Sequence, residues 1–118
     1  MTTQNINDIV INQGYAWYVI RTFPGIELKT KTRLVNTLRA KDLTQTGMQI
    51  IVPHDVMVDD HDRKPLAGFI VVKMRMQADT WKAITNAPGV TGYIGSGVIP
   101  TAYPIDDWTQ IPFSRFPE

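Results

Sequence analysis

The chain contains no cysteine. This removes disulfide frameworks, thiolate metal sites and thiol nucleophiles, and it fits a cytosolic setting. Long hydrophobic runs are also missing: stretches such as GFIVV at 68–72 fall far short of the roughly 20 residues a membrane helix needs, so no membrane span is expected. No basic stretch followed by an apolar segment and a cleavage site opens the chain, so no secretory signal is expected. Net charge is small, at +1, which argues against a protein that lives mainly by neutralising nucleic-acid phosphates. Histidine occurs only twice, as His54 and His61 among Asp55, Asp59, Asp60 and Asp62. On an extended segment the two rings would face opposite sides, so this stretch reads as a solvated hairpin tip, and no metal is expected.

What the chain does have is enough apolar material for a core. Its 118 residues, 43% hydrophobic and 19% charged, suit one compact globular domain. AWYVIRTF at 16–23 is aromatic and β-branched and ends at Pro24-Gly25, which predicts a first strand. Ile26, Thr30, Leu34 and Leu38 then recur every four residues and predict a helix of about four turns. MQIIVPHDVMV is a second extended stretch, and FIVVKMRM a third with apolar residues on both faces. ADTWKAITNAPG predicts a short helix capped by Asp79, with Trp81 and Ile84 on one face and a stop at Pro88-Gly89; VTGYIG supplies a fourth strand.

This order predicts an α+β fold of the split βαβ type (βαββαβ), a four-stranded antiparallel sheet flanked by helices. The expected organisation is a flexible segment over 1–15, a domain over 16–111 and a tail over 112–118. The tail region is proline-rich and leaves room only for a short helix around Ile105 to Ile111.

Catalytic chemistry finds no footing. GYIGSG at 92–97 lacks the following lysine and helix of a phosphate loop, so its glycines read as turn residues ending the fourth strand. Ser96 has no histidine at a spacing suggestive of a triad. No enzyme and no cofactor are expected. A split βαβ sheet can also carry RNA on aromatic residues of a central strand. AGFIVVKM keeps Gly68, Phe69 and Val72 of that pattern but has Val71 where the second stacking ring belongs. Such a sheet loses about 1–3 kcal/mol per unstacked base.

Taken together, WYVIRTFPGIE, IIVP, LAGFIVVKM and WKAITNAPGVTGYIG resemble the N-terminal domain of the NusG transcription elongation factors, over roughly residues 16 to 111. Trp17, Tyr18 and Val19 match the opening strand, Gly25 and Glu27 the helix entry, and Gly92 to Gly95 the last strand. Leu66-Ala67 stands where the family has Phe-Pro.

The resemblance implies binding to RNA polymerase, at the clamp helices of the largest subunit and across the DNA channel toward the second-largest subunit. The residues implied at that contact are Trp17, Tyr18, Leu66, Gly68, Phe69, Tyr93 and Ile94, read as an exposed apolar surface. Arg21, Lys29, Lys31 and Arg33 are implied to meet phosphates of upstream or non-template DNA; from Arg21 to Lys41 there are six basic residues against Glu27 alone. Modulation of pausing and processivity, competition with a host NusG and a cytoplasmic location, in the nucleoid or a phage-infected host, follow from the same resemblance. The typical family member continues into a small KOW domain, whereas the sequence given stops at Glu118, as a single-domain relative or a chain cut at the domain boundary would, so no Rho or ribosome contact is expected. The alternative is a small RNA-binding module acting without polymerase.

Overall fold

A computed structural model describes residues 14–53 and 67–116. The order is β1 (Tyr15–Thr22), α1 (Glu27–Ala40), β2 (Gln49–Ile51), β3 (Phe69–Arg75), α2 (Ala78–Thr85) and β4 (Val90–Tyr93). A small hairpin, β5 (Gly95–Ser96) and β6 (Ile99–Pro100), follows, then two 3-10 turns at Trp108–Gln110 and Phe113–Arg115. The main sheet runs β2-β3-β1-β4 and every pairing is antiparallel. The expected fold is therefore the observed one. No helix among the described residues is long and apolar enough to cross a membrane.

Strand alternation sorts the core into two layers. Ala16, Tyr18 and Ile20 of β1, with Ile70, Val72 and Met74 of β3, point toward the helices and meet Leu34, Leu38 and Ile84. Trp17 and Val19, with Phe69 and Val71, point the other way. That second face is covered by the C-terminal segment through Tyr103, Ile105, Trp108, Ile111, Phe113 and Phe116. The segment is attached by a backbone bridge, in which Trp17 N–H donates to Tyr103 O and Tyr103 N–H to Trp17 O, both at 2.9 Å. Trp17 Nε1 also donates to Asp106 O at 3.4 Å.

Local chemistry explains the element ends. Glu27, Thr30, Leu34 and Leu38 are the buried stripe of α1, so the expected period is right but begins at Glu27, with Ile26 as the N-cap. The helix stops where Asp42 takes φ +59, letting Asp42 N–H reach Arg39 O and Leu43 N–H reach Leu38 O. This is a Schellman-type ending, with aspartate serving in the left-handed position that glycine usually takes. Gln77, not Asp79, is the N-cap of α2 and makes no side-chain cap bond. Trp81 is half-buried, and Thr80 rather than Trp81 joins Ile84 in the fully buried layer. Pro88-Gly89 ends α2 as expected; a Cβ on Gly89 would lie 2.4 Å from Thr30 Oγ1, so glycine is what allows this turn to sit on α1. The expected C-terminal helix is reduced to the 3-10 turn at Trp108–Gln110, opened by Asp107, whose carboxylate accepts from Thr109 N–H at 3.0 Å and Thr109 Oγ1 at 2.6 Å. Those bonds hold its carboxyl below the usual range.

Candidate polymerase- and nucleic-acid-facing surfaces

The apolar residues named from the sequence do not form one exposed patch. Tyr18 and Tyr93 lie on the helix side, both against Trp81, with ring centroids 5.7 Å and 5.3 Å from it. Burial pushes the Tyr18 phenol above its ordinary pKa. Trp17, Phe69 and Ile94 belong to the opposite, tail-covered face. Leu66, like His54 and His61, lies outside the described residues.

Phe69 is 5% exposed and Trp17 1%, which corrects the expectation that these rings stand free on the surface. The physical reason is the C-terminal segment. Phe69 is bracketed by Phe113 at 5.7 Å and Phe116 at 5.8 Å, and the Arg21 guanidinium carbon sits 5.2 Å from its ring centroid. Phe116 forms the half-exposed outer layer of this cluster. Sequence periodicity had no means of finding the cover, because residues 112–116 follow neither a helical nor a strand period.

Gly68 is buried as well, and the fold itself requires a glycine there. It takes φ +84, and a Cβ would approach Thr22 O to 3.1 Å. Its carbonyl accepts from Thr22 N–H at 2.8 Å, while its N–H donates to Glu27 Oε2 at 2.6 Å. Glu27 Oε1 accepts from Gly25 N–H at 2.8 Å. One buried carboxylate thus ties the Pro24-Gly25 turn to the entry of β3, holding Phe69 in place. A buried acid is the residue that sequence reasoning passed over; its position one turn before an apolar stripe and just after Pro-Gly was the available signal.

The cations separate too. At roughly 100° per residue, Lys29 and Arg33 lie about 40° apart on α1, whereas Lys31 is turned about 160° from Arg33. Lys29 and Arg33 are exposed; Lys31 is half-buried. Arg21 is on β1, committed to the Phe69 ring. Among the described residues no cluster of histidine, cysteine or carboxylates could hold a metal ion.

The chain matches the family model described as "Transcription termination factor nusG" over residues 15–111. It is 34% identical over 87 residues to the transcription termination/antitermination protein NusG of Halalkalibacterium halodurans, covering 68% of this chain and 49% of that protein. The Rickettsia prowazekii protein of the same name is 30% identical over 115 residues, covering 86% of this chain and 58% of that protein. Among solved structures, one reported as "Domain interaction in Thermotoga maritima NusG" superimposes with a TM-score of 0.62 at 22% identity, over 77% of this chain and 51% of that chain, which supports the fold. This chain spans about half the length of these relatives. With the family match running from the first strand to Ile111, the chain belongs to the NusG family of transcription termination and antitermination factors.

Proposed function

We propose that this chain acts as a transcription elongation and antitermination factor, binding RNA polymerase at the clamp helices of the largest subunit and reaching across the DNA channel. The observation that carries the reading is the family match over residues 15–111, with half-exposed Phe116 and Ile94 lying beside Arg21 over the buried Phe69 and Phe113 on one sheet face. Aromatic rings with arginine at their edge are the side chains that anchor protein interfaces. Phe116 and Ile94 supply the accessible layer, with Trp17, Gly68 and Phe69 as its rigid floor; Tyr18 and Tyr93 brace the sheet from behind. By holding both banks of the cleft such a domain favours the closed, processive state. It shifts that equilibrium only by its difference in affinity for the two states, and it acts without catalysis. A factor of this kind works in the cytoplasm, where bacterial transcription takes place, and competes with any other NusG for the same helices.

The test is retention of purified core RNA polymerase on the immobilised chain, wild type beside Phe116→Ser. Wild type retains polymerase in both moderate and high salt, because the contact is apolar. Phe116→Ser loses most of that retention while its circular dichroism stays native. Equal retention by the two proteins would remove the aromatic cluster from the contact. The alternative, an RNA module, needs an open stacking face, and the C-terminal segment occupies the one that Trp17 and Phe69 would provide.

Lys29 and Arg33 are proposed as phosphate contacts to upstream or non-template DNA, positioning the strand without reading its sequence. On a forked DNA scaffold bound with polymerase, the Lys29→Ala, Arg33→Ala double variant is expected to lower the salt slope of binding by about 2, one counterion for each lost contact. An unchanged slope would leave the two cations as a solvated helix face.

A further inference from the structure

We infer that the outer edge of β2, unpaired among the described residues, together with the groove between it and α1, is a second docking site, built for an acidic peptide in extended conformation. β2 pairs only with β3 among the described residues and stands at the edge of the sheet. The strand is short, but its three residues, Gln49, Ile50 and Ile51, carry no charge and no proline. Alternate residues of such a strand turn N–H and C=O groups outward, ready to pair with another chain.

Beside this edge lies a groove of about 190 Å³ whose apolar walls are Val35, Leu38, Met48 and Ile50. Lys31 and Arg39 stand at the same groove, which no acidic side chain lines. On the helix these two cations are about 80° apart, with Lys31 turned about 160° from both Lys29 and Arg33 and Arg39 between Lys31 and the solvent side. Neither has an ion pair among the described residues.

The two observations fit one ligand. A strand added beside β2 sends alternate side chains toward the helix side of the sheet, where Ile50 already points. One apolar side chain of the peptide then enters the groove. Acidic residues two positions before and after it share that face and reach Lys31 and Arg39. The required pattern is acid, any, apolar, any, acid. Main-chain pairing supplies affinity, and the charges and the apolar anchor supply selectivity. This site is independent of the Phe69 cluster, and Lys31 is thereby assigned to it rather than to DNA.

The test uses the full chain, isotopically labelled, titrated with a fluorescein-tagged peptide whose core is Glu-Thr-Leu-Thr-Glu and, in parallel, with its Lys-Thr-Leu-Thr-Lys counterpart. The acidic peptide is expected to bind, to shift the amide resonances of Gln49, Ile50 and Ile51, and to protect at least one of them from hydrogen exchange. Arg39→Gln with Lys31→Gln, a pair at the groove rim whose folding is checked by circular dichroism, weakens binding about tenfold. Equal binding of the lysine peptide, shifts confined to another face, displacement by single-stranded oligouridine, self-association at the β2 edge in place of peptide binding, or no binding up to about 1 mM would each overturn the proposal.

Discussion

Replacing Phe69 by alanine is expected to destabilise the domain by about 3–5 kcal/mol, the range for emptying a buried phenylalanine site. The ring is held from three sides, by Phe113, Phe116 and the Arg21 guanidinium, and the strand beneath it is the inner β3, so little can collapse into the hole. Two ring–ring contacts worth about 0.5–1.5 kcal/mol each beyond their area are lost with it. Since a domain of this size has about 5–15 kcal/mol in total, the variant should sit near the edge of folding at room temperature. Urea titration followed by tryptophan fluorescence reads this directly. A midpoint close to wild type would mean that the C-terminal segment is not seated on Phe69 in solution. The consequence for function is practical: a failed polymerase contact by Phe69→Ala would not separate docking from unfolding, whereas Phe116→Ser, at the half-exposed outer ring, does.

Glu27→Ala carries the second large effect. The Glu27 carboxylate is buried and accepts from two backbone donors, Gly25 N–H and Gly68 N–H, one on each oxygen. Removing it leaves the buried Gly68 N–H without a partner, at about 1–3 kcal/mol, while the Gly25 N–H at the exposed turn can turn to water, so a loss of roughly 1–3 kcal/mol is expected. Glu27→Gln is the informative companion. Its amide offers a single acceptor oxygen, so one N–H is satisfied and the other faces an NH₂ group; an intermediate loss follows. Chemical denaturation of the three proteins should rank wild type, glutamine and alanine in that order. If alanine matched wild type, the Pro24-Gly25 turn and the β3 entry would be held together by something other than this carboxylate.

The order of elements was legible because each carried its own period and its own stop. Thr30, Leu34 and Leu38 marked α1, Pro24-Gly25 and Pro88-Gly89 marked turns, and FIVV marked the inner strand. The site was less legible, for a reason visible in the same strands. β1 and β3 are apolar at both parities, Trp17 and Val19 as well as Tyr18 and Ile20, so alternation names two faces without saying which one meets solvent. The answer depends on residues some 90 positions away, in a proline-rich stretch with no period of its own. Glu27 was read as a family match at a helix entry; its place just after Pro24-Gly25 was a cue, but its burial depends on the Gly68 N–H, 41 residues away. That Lys31 is turned away from Lys29 and Arg33 on α1, by contrast, follows from residue numbers alone once the helix is granted.

The bridge between Trp17 and Tyr103 joins positions near opposite ends of the described chain. Closing a loop of that length costs entropy before any contact made across it can reward the chain. Both faces need β1 to find β3 across roughly 50 residues or more, but the Trp17 and Phe69 face needs residues 103–116 as well. Without residues 103–116 in place the sheet is a half-closed book, and its bare aromatic page is what stray strands would meet.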